Sequence, residues 1–392
     1  MKAVKTIPSQ VWMRSDAANT LFETLGEDNL LFVGGCVRNA LLGADVDDID
    51  LATKLLPEDV TAKLEEVGVK VVPTGIDHGT VTAVIDGKPF EITTLRKDIE
   101  TDGRHATVSY TDDWAEDARR RDFTMNTLLA DQAGNIYDPL GQGAADLDAR
   151  KVVFVGEAAE RIEEDHLRIL RYFRFHALYA EGEPDANALK ACSQAADKIA
   201  NLSKERITQE IFKILSVEDP SAILQLMFDN NVLKEIFDTE KRFETIRHVS
   251  KFQSDYNLRF LASRILVLAD FDQNKIDAFQ KFILFPKVFL KDMKAIQNVL
   301  ALPDLSDEHA VKVAIYKHGR VPTAQALMIE LAQDRVMNAY APKALDIVQN
   351  WDVPDFPLSG EDLMKEGFKP GPELGAELEK RENAWIDAGF KS

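Results

Sequence analysis

The most constraining feature of this chain is a change in hydrophobic pattern near residue 155. Before that point, short apolar runs with strand character alternate with helical stretches, and turn signals such as Asp86-Gly87 separate them. After it, apolar residues recur at helical spacing, as in Leu167, Leu170 and Phe173. The pattern predicts an N-terminal α+β lobe followed by an all-helical remainder.

Length, cysteine usage and charge restrict the class of protein. A chain of 392 residues exceeds the usual size of one domain, so we expect at least two lobes. We expect no secretory signal and no membrane span, because no apolar run is long enough. Cys36 and Cys192 form neither a disulfide framework nor a zinc pattern, which predicts a cytoplasmic protein. A net charge of −19 argues against a general nucleic-acid coat but is compatible with a local basic surface.

A Gly-Gly turn separates the first clear strand from a helix. The run LLFV is followed by Gly34-Gly35 and then by a helical stretch that contains Arg38. Backbone N–H groups at such a helix start attract phosphate, and the Arg38 guanidinium adds donors. A tight strand-to-helix turn without any ligand explains the same residues, so the motif is weak by itself.

Three carboxylates follow this turn. Asp48 and Asp50 are two residues apart, so on a strand their side chains would share one face. Neighbouring like charges repel unless a cation holds them, and Mg²⁺ suits one or two carboxylates together with phosphate. Glu91 leaves a second predicted strand on the face opposite Phe90 and Ile92, and is a candidate to activate a hydroxyl or to bind metal. The alternatives are a solvated acidic loop for the pair and a solvated strand face for Glu91.

An arginine cluster precedes a polar pair. Arg119–Arg121 are followed by Asp122, and Asp122 and Asn126 are four residues apart, close enough to meet on one helical turn. These groups suit a triphosphate and ribose hydroxyls, whereas a solvated charged face is the alternative.

A predicted helix contains a second set of charges, namely Glu164, Asp165, Arg168, Arg171 and Arg174. Asp165 and Arg168 are three residues apart, so their side chains can pair on one helix. A locked carboxylate–guanidinium pair presents acceptors and donors in one plane, like the edge of a nucleobase. A helix-surface ion pair is the alternative interpretation, and Arg171 and Arg174 continue the same flank.

In this order, the five motifs resemble those of the class II tRNA nucleotidyltransferases, which belong to the superfamily that includes DNA polymerase beta. The matching stretches cover roughly the first 215 residues and read LFVGGCVRNALLG, DIDLAT, FEITTLRKDIETDGRHATV, ARRRDFTMNTLLAD, EEDHLRILRYFRF and LSKERITQEIFKIL. The ending FPLSGEDLMKEGFKPGPELGAELEKRE looks like the tail of bacterial CCA-adding members. The resemblance implies a polymerase-beta-like head with a mixed or antiparallel sheet and helices, followed by an all-α neck, body and tail.

The resemblance also implies an activity, namely template-independent addition or repair of the 3′-terminal CCA of tRNA from CTP and ATP with Mg²⁺. Asp48 and Asp50 match the metal-binding aspartates, and Glu91 matches the third carboxylate. Asp165 and Arg168 match the pair that selects the base, with Glu164 steadying them. The nucleotide-binding candidates are Gly34, Gly35, Arg38, Arg121, Asp122, Asn126, Glu164, Asp165, Arg168, Arg171 and Arg174.

Two positions bear on this resemblance. The family's first motif usually reads Gly-Gly-x-Val-Arg-Asp, and this chain has Asn39, which keeps an acceptor but loses the charge. Asp102-Gly103-Arg104 matches the family's flexible element, which helps to switch the pocket from C to A.

Three other functions remain open: a poly(A) polymerase, a CC-adding tRNA nucleotidyltransferase, and a non-catalytic RNA-binding protein. None of the seven histidines is followed by Asp, so we expect no His-Asp phosphohydrolase domain. The predicted domains are a helical extension (1–25), the catalytic head (26–155), a neck (156–220), and a body and tail that bind tRNA (221–392). We expect no membrane partner, and the oligomeric state is left open.

Overall fold

A computed structural model of the chain describes residues 1–102, 105–234, 236, 242–258, 260–302 and 305–391, with backbone only at 77, 98–102 and 105–108. The chain folds into two compact units, which are Met1–Ile214 with Leu226–Glu235, and Leu215–Gln225 with Ile236–Ser392. Within the described ranges, every helix is too short or too polar to span a membrane.

A mixed sheet forms the centre of the first unit. Its strands are β1 (Lys5–Thr6), β2 (Leu30–Val33), β3 (Asp50–Thr53), β4 (Lys70–Gly75), β5 (Thr80–Ile85), β6 (Lys88–Thr94), β9 (Leu129–Ala130) and β10 (Asn135–Tyr137). They lie in the order β1-β10-β9-β2-β3-β6-β5-β4. The β3–β6 pair is parallel and the other pairs are antiparallel. A separate hairpin joins β7 (Arg96–Asp102) to β8 (His105–Tyr110).

Helices surround this sheet and continue beyond it. They are α1 (Asp16–Leu25), α2 (Gly35–Leu42), α3 (Pro57–Glu66), α4 (Trp114–Arg119), α5 (Gly143–Asp148), α6 (Ala158–Glu164), α7 (Leu167–Tyr179), α8 (Ala186–Gln194) and α9 (Lys204–Leu215). Short 3₁₀ turns occur at Val11–Arg14, Ile76–His78, Thr124–Asn126 and Ala196–Asn201.

The turn after β2 directs the chain into α2. All four residues of β2 are buried, as their apolar side chains require. Gly34 then adopts φ +72° and ψ −122°, a conformation that side chains other than hydrogen disfavour. The strand therefore ends there, and α2 begins at Gly35 with its free N–H groups at the end of the strand.

An aromatic core fixes α7 against the end of the head. The ring of Phe123 lies 5.0 Å from that of Phe154 and 4.9 Å from that of Phe175, and Tyr172 stacks on Phe154 at 5.6 Å. Phe123 and Tyr172 are fully buried. This packing holds the arginine-bearing face of α7 close to the 3₁₀ turn at Thr124–Asn126.

Among the described residues, the rest of the chain contains helices joined by turns and loops, and no strand. Its helices are α10 (Ser221–Asp229), α11 (Phe243–Asp255), α12 (Leu261–Leu268), α13 (Gln273–Phe279), α14 (Lys287–Leu300), α15 (Glu308–His318), α16 (Arg320–Ala332), α17 (Ala341–Asn350), α18 (Gly360–Lys365) and α19 (Pro372–Asp387). The prediction of an α+β lobe followed by an all-helical remainder is confirmed.

Candidate active site

Asp50 and Glu91 lie side by side on neighbouring strands. Asp50 is the first residue of β3, and the parallel register between β3 and β6 pairs it with Glu91. Paired positions on adjacent strands direct their side chains to the same face. Burial, followed by the charges of Glu91 and Asp48, raises the pKa of Asp50 to about 6. Asp50 therefore lies in an excess of negative charge that a cation would relieve.

Asp48 reaches this region from a loop. Residues 44–49 are not part of a strand, so the expectation that Asp48 and Asp50 extend from one strand is wrong. The loop conformation has a local cause, since the Asn39 side chain binds the Asp45 carbonyl oxygen at 2.8 Å and keeps this segment beside α2. Asp48 and Asp50 nevertheless line one cavity of about 200 Å³.

These carboxylates fit a magnesium ion that its substrate helps to hold. Among the described residues, no three His, Cys, Asp or Glu side chains form a preassembled metal site. Magnesium commonly uses only one or two carboxylates and completes its shell with water and substrate phosphates. Asp48 and Asp50 supply such a donor set, and a bound cation would offset the repulsion from Glu91 and Asp48 that, after burial, raises the pKa of Asp50.

Arg38 projects from α2 into the site. Its guanidinium donates to Asn126 Oδ1 at 2.6 Å and to the Tyr179 hydroxyl at 2.9 Å, and it lies 4.2 Å from the centre of the Tyr179 ring. Its Nε is buried and has no hydrogen-bond acceptor among the described residues. A buried donor of this kind is costly unless something accepts from it, which favours an anionic ligand nearby.

Asn39 links Arg38 to the loop that carries Asp48. Its Oδ1 accepts from Arg38 Nη2 at 3.1 Å, and its Nδ2 donates to the Asp45 carbonyl. An aspartate at this position could accept from the arginine, but it could not donate to the loop. The departure from the family pattern therefore adds a hydrogen bond.

Asp122 connects the arginine cluster to α7. It accepts from Asn126 Nδ2 at 2.9 Å and pairs with Arg171 at 2.5 Å. Burial would raise the pKa of Asp122, but the charge of Arg171 and the Asn126 hydrogen bond hold it below its ordinary value. The expected contact between Asp122 and Asn126 is made, on a 3₁₀ turn instead of an α-helical one.

Asp165 and Arg168 do not pair with each other, contrary to expectation. Helix α6 ends at Glu164, and Asp165 has an extended φ of −154°, so the two residues flank a helix break. Asp165 pairs with Arg206 of α9 at 2.6 Å, and Arg168 pairs with Glu164 at 2.6 Å. Each member of the predicted pair is held by a different partner.

One cavity of about 490 Å³ brings most of these groups together. Its volume lies within the range of small-molecule sites. The predicted residues that line it are Gly34, Gly35, Arg38, Asp50, Arg121, Asp122, Asn126, Asp165, Arg168, Arg171 and Arg174. Outside the lining, Glu91 lies beside Asp50, Glu164 holds Arg168, and Asp48 lines the neighbouring cavity.

Sequence reasoning missed several residues of this cavity. Leu167, Phe175 and Arg206 also line it, as does Arg120 of the predicted arginine cluster. Arg206 lies in the stretch LSKERITQEIFKIL, so the resemblance contained a signal for it. Asp117 of α4 was also missed, although it pairs with Arg120 at 2.6 Å and with Arg121 at 3.0 Å.

The segment predicted to switch the pocket from C to A lies largely outside the described residues. Gly103 and Arg104 are not described, and only the backbone of Asp102 is.

The fold and the site together define a nucleotidyltransferase. A mixed sheet presents neighbouring carboxylates, a Gly-Gly turn opens a helix beside them, and an arginine-lined cavity adjoins both. Residues 30–153 match the family model of the poly A polymerase head domain. Residues 183–240 match the probable RNA and SrmB-binding site of polymerase A.

Curated relatives identify the family within this class. The mitochondrial CCA tRNA nucleotidyltransferase 1 of Mus musculus is 34% identical over 387 residues, which cover 96% of this chain and 88% of the relative. A CCA-adding enzyme of Streptococcus thermophilus is 31% identical, with 91% and 88% covered. The chain therefore belongs to the CCA tRNA nucleotidyltransferase family.

Solved structures have the same fold. The Bacillus stearothermophilus CCA-adding enzyme in complex with CTP has a TM-score of 0.75 at 25% identity, with 92% of this chain and 89% of that chain covered. The Thermotoga maritima CCA-adding enzyme complexed with tRNA has a TM-score of 0.68 at 18% identity, with 97% and 94% covered, and this likeness shows the fold alone. The predicted fold class, a polymerase-beta-like head with a mixed sheet followed by a helical remainder, is confirmed.

Proposed function

We propose that this chain adds or repairs the 3′-terminal CCA of tRNA, using CTP and ATP and no nucleic-acid template. The observation that carries the proposal is a single cavity lined by Asp50, four arginines of the predicted set, and Asp165 with Arg168. Family membership supports the same activity, since relatives named for CCA addition match nearly the whole chain.

The proposed metal ligands are Asp48 and Asp50. Bound Mg²⁺ would neutralise charge on the triphosphate and favour ionisation of the tRNA 3′-hydroxyl, the chemistry of two-metal nucleotidyl transfer. Glu91, paired with Asp50 across β3 and β6, is positioned to bind the same cation or to accept the hydroxyl proton.

The arginines of the cavity would bind and orient the triphosphate. Arg38 has a buried Nε without an acceptor among the described residues, and Arg121 lies close to the Gly34-Gly35 turn, where the N–H groups of the first turn of α2 would attract phosphate. Asp122 and Asn126 are the proposed ribose contacts. Their mutual hydrogen bond and the Arg171 ion pair fix their positions before a nucleotide binds.

Asp165 and Arg168 are the proposed base-selecting pair. Cytosine and adenine both present an amino group next to a ring nitrogen acceptor, so an aspartate acceptor and an arginine donor complement both edges. Uracil and guanine present a carbonyl where the amino group would be, which an ionised aspartate repels. Arg206 holds Asp165 and Glu164 holds Arg168, while both members of the pair line the cavity. A carboxylate and a guanidinium each have enough hydrogen-bonding sites to keep these partners and bind a base edge.

The domain boundaries given above enter the same proposal. The head (26–155) and neck (156–220) would perform the chemistry, and the body and tail (221–392) would hold tRNA.

The test is an extension assay on tRNA that ends at the discriminator base, with CTP, ATP, both, or UTP and GTP. We expect two additions with CTP alone and three with both nucleotides, read as product length on a sequencing gel. Long tails with ATP alone would identify a poly(A) polymerase, and arrest after two cytidines with both nucleotides a CC-adding enzyme. No extension under any condition would reject the enzyme and favour a non-catalytic RNA-binding protein.

A further inference from the structure

Several arginines and lysines of the described residues already have carboxylate partners. Arginines of the head and neck pair with Asp117, Glu164, Asp122 and Glu210, and Lys365 in the tail pairs with Asp362 at 2.9 Å. A paired cation contributes less net charge toward an approaching polyanion than an unpaired one. A protein with a net charge of −19 therefore needs another basic surface if it holds tRNA.

Residues 281–294 of the second unit form an unusual basic segment. They contain four lysines and one acidic residue, Asp292. All four lysines are exposed, namely Lys281, Lys287, Lys291 and Lys294. Within the described part of the chain, none of the four has an ion-pair or hydrogen-bond partner for its ammonium group.

Helix α14 presents three of these lysines together. Its buried residues are Met293, Ile296 and Val299, which face the core of the second unit. At 100° per residue, Lys287, Lys291 and Lys294 lie on the opposite side of the helix. These three positive charges therefore share one solvent-facing surface, and the exposed Lys281 lies six residues before the helix begins.

Exposed apolar side chains accompany the lysines. Val288 is 70% exposed and Leu284 is 41% exposed, and the half-buried rings of Phe285 and Phe289 in the same segment stack at 5.6 Å. Lysines beside apolar or aromatic groups are typical of surfaces that bind phosphates and unpaired bases at once. A membrane surface would need a larger apolar face on the helix than these exposed side chains provide.

We propose that residues 281–294 are a docking surface for tRNA, with the lysines on backbone phosphates and Leu284 and Val288 against exposed bases or riboses. The proposal rests on the proposed function for the identity of the RNA. Charge complementarity selects the partner, because this unpaired basic segment belongs to a strongly acidic chain.

The experiment compares two fourfold Lys→Gln variants of the full chain. The first replaces Lys281, Lys287, Lys291 and Lys294. The matched control replaces four lysines of the same unit that have acceptor partners, namely Lys312, Lys317, Lys343 and Lys380, so the net charge changes equally. The Kd for tRNA is measured against salt by fluorescence anisotropy, and kcat and KM for CTP addition are measured in parallel.

We expect the first variant to bind tRNA at least about tenfold more weakly. The slope of a plot of log Kd against log salt concentration should decrease by about 3. The control should keep the parent slope, and kcat at saturating tRNA should be unchanged in both because the nucleotide cavity lies in the first unit. In a further variant, Val288→Ser should weaken binding without changing the slope.

Equal slopes in the parent and the first variant would overturn the proposal. So would loss of binding to vesicles containing phosphatidylserine with an unchanged Kd for tRNA, which would indicate a membrane surface instead. Binding is measured without turnover, so it tests the docking surface independently of the activity. If the parent protein binds tRNA but adds no nucleotide, the proposed function is rejected and the comparison of slopes still tests the docking surface.

Discussion

At the scale of single residues, the charges at the site depend on neighbours that are distant in sequence. Asp50 acquires its raised pKa from burial and from Glu91 on another strand, whereas Asp122 keeps a lowered pKa because Arg171, 49 residues away, pairs with it. The two carboxylates have opposite environments within one cavity. The first suits a metal cation, and the second suits a fixed hydrogen-bond acceptor.

Replacing Asp50 by Asn should abolish addition of both C and A while tRNA binding persists. The substitution removes a proposed metal ligand but also removes a buried charge that Glu91 and Asp48 repel, so the melting temperature should not fall. Single-turnover assays and tRNA anisotropy measure the two effects. Asp45→Asn, in the exposed part of the preceding loop, is the control, and near-normal turnover by Asp50→Asn would contradict the metal assignment.

Arg206 should affect base selection more than chemistry. Its ion pair holds Asp165, so Arg206→Gln should lower the preference for CTP and ATP over UTP and GTP, while kcat with CTP changes less. Competition assays with pairs of nucleotides measure the preference. Lys213→Gln makes the same charge change on an exposed position of α9, and an equal loss of selectivity there would remove Arg206 from the specificity account.

At the scale of elements, the site depends on where helices meet turns. The 3₁₀ turn Thr124–Asn126 presents Asn126 to the cavity, and α5 packs directly against it. A Cβ added at Gly143, the first residue of α5, would come within 2.4 Å of the Thr124 carbonyl oxygen. Glycine at this position is thus required by close approach of two backbones.

Gly143→Ala should destabilise the protein by about 1–3 kcal/mol and raise KM for both nucleotides, because the turn that carries Asn126 must shift. Gly375→Ala lies within α19 with open space around the new methyl group, so it should be neutral or stabilising by about 0.5–1 kcal/mol. Urea unfolding and KM measurements compare them. Equal stability in the two variants would show that the contact between α5 and the Thr124 carbonyl does not require glycine at position 143.

At the scale of the whole molecule, the C-terminal segment is part of a packed core. Trp385 and Phe390 contact each other at 5.1 Å, and Trp385 also contacts Tyr316 at 5.7 Å and Phe356 at 5.4 Å. Only 8% of Trp385 is exposed. Removing residues from Pro354 onward would therefore disturb the second unit, and loss of tRNA binding after such a deletion would not identify RNA contacts.

Trp385→Ala should cost about 3–5 kcal/mol of unfolding free energy and should impair tRNA and acceptor minihelix substrates alike. Met364→Ala, at a 41% exposed position of the same segment, should change stability by less than about 0.5 kcal/mol. Thermal unfolding and KM for both substrates measure the outcomes. A selective loss on whole tRNA with unchanged stability would instead assign RNA contacts to the segment.

The sequence by itself determined the change from α+β to all-α, the strand-to-helix turn at Gly34-Gly35, and most of the residues that line the cavity. These features depend on the hydrophobic pattern and backbone preferences of residues that are close together in the sequence. Its error at Asp165 and Arg168 had the same origin, since helical spacing alone does not reveal the break after Glu164. Each motif taken alone also had a purely structural interpretation. The order of the five motifs along the chain favoured the functional interpretation.

Only the tertiary structure decided which charges meet. The parallel register of β3 and β6 brings Glu91 to Asp50, and the packing of α9 brings Arg206 to Asp165. The same holds for the four lysines of residues 281–294. Whether an acidic side chain pairs with them depends on the folded positions of all the acidic residues, and none of the described ones does. Pairing between charges that are distant in sequence depends on which residues folding brings close, and no local pattern in the chain contains that information.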